Sequence, residues 1–203
     1  MAEGRAERPE RADAARNRRL ILAATEELLR HDDPEQVTIE RVAQAAGVGK
    51  ATVFHRFGSR TGLMRALMEQ RAAALQDAVA SGPPPLGPGA PPADRLAAFL
   101  DAVLDLAAQN VGLMTAHEHA VATRRDTSGE REANPVYLAW HSHIAALIGE
   151  ARPDRDAPLL AHILLGALHA EPLMRMVRAG ESARIAACLR DLVSDVLERD
   201  SDR

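Results

Sequence analysis

Apolar residues recur at helical spacing through most of the chain. Ile21, Ala24, Leu28 and Leu29 follow at three- and four-residue steps, and the Asp32-Asp33-Pro34 cluster ends that run. The pattern predicts a first helix from Asn17. A second helix has Thr38 as its N-cap and Glu40 in its first turn, where the helix dipole favours an acid. Ile39, Val42, Ala43 and Ala46 form its inner face, and it stops at Gly47, which takes the left-handed conformation of a sharp turn. A short third helix is expected over residues 49–57, and a fourth, capped by Ser59, over residues 60–80.

Residues 81–92 read SGPPPLGPGAPP, which excludes helix and central strand because Pro removes donors and fixes φ. A mobile loop is expected there. Asp94 then caps a helix to about Asn110, with Leu96, Phe99, Leu100, Val103, Leu104 and Ala107 on a broad apolar face. A separate helix over 111–122 and a polar loop over 123–132 follow. Asn134-Pro135 pairs an N-cap with a first-turn proline and opens a helix to about Ala151. Asp156-Ala157-Pro158 opens another, interrupted or kinked at Pro172 and closed by Gly180. Ser182 opens the last, with Ile185, Leu189, Leu192, Val193 and Val196 along one seam. No stretch alternates as a strand does, so the fold class is all-α.

Composition adds limits. Of 203 residues, 46% are hydrophobic but only 2% aromatic, so the cores must be built from Leu, Val, Ile and Ala, which suits packed helices. A lone cysteine, Cys188, excludes an intramolecular disulfide and a cysteine metal cage, and is expected to be a small buried hydrophobe. Residues 1–16 alternate Arg with Glu and Asp, unlike a signal peptide, and read as a charged, disordered arm. No apolar run approaches the roughly 18 residues of a membrane span, so a cytoplasmic protein with no membrane partner is expected. The net charge is −4, but it is unevenly spread. Residues 41–71 carry six basic side chains against one acid, whereas residues 72–203 carry twelve against eighteen. A basic module on an acidic body is the asymmetry of a DNA reader with a second function.

The segment 38–63, TIERVAQAAGVGKATVFHRFGSRTGL, carries the chemistry. Two helices joined by a tight glycine turn form the unit whose second helix enters the major groove. Ala43, Val48, Val53 and Phe57 face inward at this spacing, leaving Lys50, Ala51, Thr52 and His55 to project outward. Lys50 is the chain's one lysine and stands at the start of the third helix, the end that points at DNA.

Residues 17–68 resemble the DNA-binding domain of the TetR family of bacterial regulators. The resemblance rests on Thr38 opening the second helix, the Ala46-Gly47-Val48 turn, Phe54 with Phe57 three residues apart, and Arg60 shortly before Leu63. The family usually has Tyr at the position of Phe54, Lys at that of Arg60 and Ser at that of Gly49. Arg keeps a phosphate-binding charge and adds bidentate geometry, and Gly as an N-cap costs only about a few tenths of a kcal/mol relative to Ser. The resemblance implies that Thr38, Thr52 and Arg60 position the protein on phosphates, that Lys50, Ala51 and His55 face base edges, and that Gly49 and Phe54 belong to the same DNA-binding surface. It also implies a partition into a helix-turn-helix domain at 17–58, a connecting helix at 59–80, a Pro/Gly-rich loop at 81–93, and a ligand-binding and dimerisation domain at 94–203.

The implied partners are double-stranded, palindromic operator DNA, a second copy of the chain, and a small, largely apolar effector that releases the DNA. Candidate pocket residues lie on the middle helices: Val136, Trp140, His143 and Leu147 share one face, Met114, His117 and Val121 another, and Phe99 and Tyr137 add aromatic surface. Gly166 and Ala170 permit close helix contact in a dimer. His117-Glu118-His119 and His141-Ser142-His143 invite a metal reading, but side chains two apart on a helix diverge by about 200°, so no metal site is expected. No cofactor is expected. The alternatives are a constitutive repressor, whose core around Trp140 would be filled, and a helical enzyme, for which the chain has no nucleophile–base pair, HExxH or phosphate loop.

Overall fold

The computed structural model describes residues 7–121 and 134–197, with the side chains of 7–12, 111, 112 and 114–121 left out of the description. Nine α-helices and one 3-10 turn make up the described chain: α1 (Glu7–His31), the 3-10 turn Pro34–Gln36, α2 (Ile39–Ala46), α3 (Lys50–Phe57), α4 (Arg60–Ser81), α5 (Pro92–Val121), α6 (Pro135–Ala151), α7 (Ala157–Leu168), α8 (Glu171–Arg178) and α9 (Ser182–Leu197). The all-α expectation holds. No single described helix is long and apolar enough to cross a membrane.

The chain divides into two compact units, one formed by residues 1–70 with 112–120, the other by 71–111 with 121–203. In the first, Ile21, Leu22, Val37, Ile39, Val42, Ala43, Val53, Leu63, Met64, Leu67 and Leu113 form a core built almost wholly of aliphatic side chains. The core contains no buried Tyr or Trp needing a partner. Among its described residues one hydroxyl is buried, on Thr25, and it donates back to the Ile21 carbonyl at 2.8 Å.

The second unit has its own core of leucines, isoleucines and valines from α5, α6, α7 and α9, with Phe99 and Trp140 as its large aromatic members. Asn134 caps α6 by accepting from Val136 N at 2.9 Å, and Asp156 caps α7 by accepting from Leu159 N at 3.1 Å. Both caps stand where the sequence signals place them. Arg152, 6% exposed, closes the far end of α6. Its guanidinium donates to both carboxylate oxygens of Asp154, at 2.9 and 2.8 Å.

Four sequence expectations change. Helix α1 begins at Glu7 rather than Asn17, so residues 7–16 are helical and not a disordered arm. Glu, Arg and Ala are good helix formers without an apolar stripe, so propensity acts where periodicity is silent. Helix α5 runs unbroken through the break expected after Asn110. Asn110 is buried and its Oδ1 accepts from Arg71 Nη1 at 2.6 Å, a tertiary bond that offsets a poor helix former. The Pro/Gly segment is a packed turn: Leu86 lies against the core, Gly87 is buried, and its N–H donates to Pro83 O at 3.0 Å. A Cβ on Gly87 would fall 1.9 Å from the Gly82 carbonyl oxygen, so only glycine fits there. The interruption expected near Pro172 is present, as two helices, α7 and α8, bent by 47°. Cys188 is exposed, not buried, because Ile185, Leu189, Val193 and Leu197 hold the inner seam of α9.

Candidate nucleic-acid interface and ligand cleft

The turn between α2 and α3 is closed by backbone geometry. Gly47 adopts φ 65° and ψ 31°, its N–H donates to Gln44 O at 3.2 Å, and Val48 N donates to Ala43 O at 3.0 Å. This pair of bonds is the Schellman arrangement, which reverses the chain within two residues. Thr38 Oγ1 accepts from Arg41 N at 3.3 Å and caps α2, as its position predicts. On α3, Val53 is fully buried and Phe57 packs partly against the same core, as does Val48 in the turn before it. Arg18 lies over the Phe57 ring at 5.5 Å and covers its outer face.

With Val53 inward, Lys50, Ala51, Phe54 and His55 form an exposed stripe along α3, and Thr52 and Arg56 flank it half-buried. Phe54 is 43% exposed and belongs to this stripe, not to the core. Gly49 caps α3 through its backbone only, with Thr52 N donating to its carbonyl at 2.9 Å. The stripe thus offers a cation, an imidazole, a hydroxyl beside it, a methyl and an aromatic face on one rigid helix.

Two cations are engaged within the protein. Lys50 pairs with Glu40 and lies 5.7 Å from the Phe54 ring centre. The lysine holds the Glu40 carboxyl below its ordinary value, chiefly through this bond. Sequence reading placed Glu40 at the helix dipole and missed its role as the counter-charge of Lys50. Arg60, expected on a phosphate, is bonded to backbone carbonyls of the protein. Its Nε donates to Val37 O at 2.9 Å and its Nη2 to Pro34 O, so its guanidinium ties the start of α4 to the 3-10 turn ahead of Thr38. Ser59 caps α4 as expected, accepting from Gly62 N at 3.0 Å.

In the second unit a cleft of about 210 Å³ is lined by Gln76, Val79, Phe99, Ala139, Trp140 and His143. Three expected pocket residues therefore meet. Phe99 stands edge-on to Trp140, with ring centres 6.1 Å apart, and to His143, at 4.9 Å. Burial, with the charge of Arg95 as a lesser cause, lowers the His143 pKa and favours the neutral ring. Tyr137 does not join them. Its hydroxyl lies 2.7 Å from His162 Nδ1 and its ring stacks with His141 and His162. Met114 and His117 fall on α5 where side chains lie outside the described residues. Gln76 and Val79 were missed because 59–80 read as a connector, although their spacing of three put them on one face. Among the described residues no group of three His, Cys, Asp or Glu side chains is placed to hold a metal ion.

Residues 21–67 match the sequence profile of the bacterial regulatory proteins, tetR family. A search of curated proteins found no match. A TetR transcriptional regulator from Streptomyces coelicolor is 26% identical, with 91% of this chain and 99% of that chain covered and a TM-score of 0.59. FadR from Thermus thermophilus, a TetR-family transcriptional repressor solved in complex with lauroyl-CoA, is 19% identical over 92% of this chain and 99% of its own, with a TM-score of 0.56. The fatty acid degradation regulator FadR from Bacillus halodurans is 18% identical over 92% and 97%, with a TM-score of 0.51. The last two likenesses speak for the fold alone. The glycine-closed turn, the exposed stripe on α3 and the profile match fall on the same residues: 21–67 carry a helix-turn-helix of the kind found in the bacterial regulatory proteins of the tetR family, and the chain as a whole is similar to a TetR transcriptional regulator.

Proposed function

We propose that the protein is a repressor that binds a palindromic operator as a homodimer and leaves it when a small molecule occupies the second unit. The observation that carries the reading is the exposed stripe Lys50, Ala51, Phe54 and His55 on a helix locked from behind by Val53. Lys50 turns from Glu40 to a guanine edge, the Ala51 methyl meets a thymine methyl, and His55 reaches the neighbouring base. Thr38, Thr52 and the backbone at Gly49 hold the phosphates, while Phe54 packs against sugar. Arg60 acts as a positioning residue, through its bonds to Val37 and Pro34.

Dimerisation is supported by apolar side chains left in solvent. Leu159 and Ile163 are 54% and 56% exposed on α7, with Gly166 exposed one turn further and Leu192 exposed on α9. A two-fold copy would bury them in a four-helix seam. Two recognition helices must then reach successive major grooves about 34–36 Å apart. Helix α4 contributes residues to both units, so a shift of its second half on ligand binding would alter that spacing. By linkage, ligand and DNA then weaken each other's binding by the same factor.

The cleft beside Trp140 favours a sensing regulator over a constitutive one with a filled core. Its volume equals that of roughly seven liquid waters, so the lauroyl-CoA of the Thermus protein is not carried over as the effector. A gel shift on the intergenic DNA adjoining the gene tests the reading. Wild type should bind and Lys50→Ala should bind more weakly. Equal affinity would end the base-reading role of Lys50.

A further inference from the structure

Trp140 and His143, which line the cleft, carry buried polar atoms without a hydrogen-bond partner among the described residues. Trp140 is 9% exposed, yet its Nε1 is buried without a hydrogen-bond partner, and so is His143 Nε2. An indole N–H can only donate. Folded proteins leave few such groups unpaired, since each forfeits the bond it had with water. Arg95, one turn before Phe99 on α5, adds a third buried donor without a partner at its Nε, and its charge bears on His143. The described lining has no carboxylate to answer them; its remaining polar side chain is Gln76. The other walls are apolar, and Phe99 meets both Trp140 and His143 edge-on, an arrangement that admits a flat ring alongside.

We propose that the effector is a small, flat acid, a compact apolar body with one anionic group that accepts hydrogen bonds from Trp140 Nε1 and His143 Nε2. This rests on the ligand-responsive reading above and gives that ligand a chemistry. The cleft, at about 210 Å³, holds one ring with a short substituent. The anion takes the donors left over by the fold, and Arg95 supplies a favourable potential. A neutral isostere keeps the apolar contacts but not the charge-assisted bonds, which are about twice as strong as neutral ones.

Trp140 is the chain's one tryptophan, so its fluorescence reports this cleft alone. Full-length protein is titrated with phenylacetate and with phenylacetamide. Phenylacetate should shift Trp140 emission saturably and bind about tenfold more tightly than the amide. Trp140→Phe, followed by calorimetry, should stay folded, losing only the packing of the larger ring, yet bind phenylacetate about tenfold more weakly. His143→Leu should weaken it likewise. Amide binding as tight as acid binding, no saturable shift with either, or full phenylacetate affinity in both variants would overturn the proposal. The gel shift separates the two readings. Operator binding with no response of the cleft to phenylacetate sinks the acid alone. Phenylacetate binding as described in a protein that retains no DNA supports the acid and sinks the regulator mechanism.

Discussion

Replacing Arg60 decides whether this cation serves the fold or the DNA. Its two bonds run to the carbonyls of Val37 and Pro34, and the residue is half-buried, so neither bond is fully shielded from water. Hydrogen bonds to a charged group contribute about 1.5–3 kcal/mol each when buried. Taking the lower end for this setting, Arg60→Ala should cost about 2–3 kcal/mol. Lysine keeps the charge but presents a point donor in place of the planar fork, so Arg60→Lys should keep one bond of the two and cost roughly 1–1.5 kcal/mol. For a chain of this size that is a fall in Tm of about 2–6 °C. Melting curves give the stability, and gel shifts over a salt series give the DNA side. Removing one cation from a phosphate should flatten the slope of log K against log salt by about 0.9. The expected result is lower stability with an unchanged slope in both variants. Variants as stable as wild type, with the slope of Arg60→Ala reduced by about 0.9, would refute the tie and return Arg60 to a phosphate.

Three further outcomes can be measured. Lys50→Ala should weaken operator binding by roughly 1–3 kcal/mol while its melting curve stays near that of wild type, because the Glu40 pair is exposed; Glu40→Gln should strengthen binding by freeing Lys50, and a gel shift that shows weaker binding would count against that pairing. Asp154 is held at about 2 by the Arg152 guanidinium, below its ordinary 3.8. Its contribution is therefore complete above the ordinary carboxylate range and disappears as pH falls from about 4 to about 2. Asp154→Asn should lower the urea midpoint at pH 7 and match wild type near pH 2, and a gap that persisted at pH 2 would contradict the pairing. Glutamate at both Leu159 and Ile163 should convert a dimer to a monomer in sedimentation and weaken operator binding, whereas a dimer unaffected by both would place the seam elsewhere.

The helix-turn-helix was legible because its determinants are local. Thr38 caps with its own hydroxyl, Gly47 turns the chain by its own φ, and Val53 and Phe57 mark the inner face within two turns. What escaped depended on distant partners. Arg60 looked like a phosphate ligand because the carbonyls of Pro34 and Val37 lie twenty-six and twenty-three residues away. Asn110 looked like a helix end because Arg71, which holds its side chain, is thirty-nine residues off. Tyr137 was assigned to the cleft on aromatic character. It sits three residues from Trp140, but its hydroxyl is drawn to His162 on α7. The start of α1 escaped for another reason: a charged helix that buries little carries no periodic signal.

The exposed end of α3 has a chemical consequence for handling the protein. Lys50 is its one lysine, so an amine-acylating reagent meets a single side chain besides the chain's terminal amine. Acylation there deletes the positive charge where the recognition stripe begins and releases Glu40 as a bare carboxylate toward the same surface. One covalent event would therefore turn an attractive surface into a repulsive one. Bound DNA should shield that amine, so the mass shift on one peptide becomes a footprint of the complex.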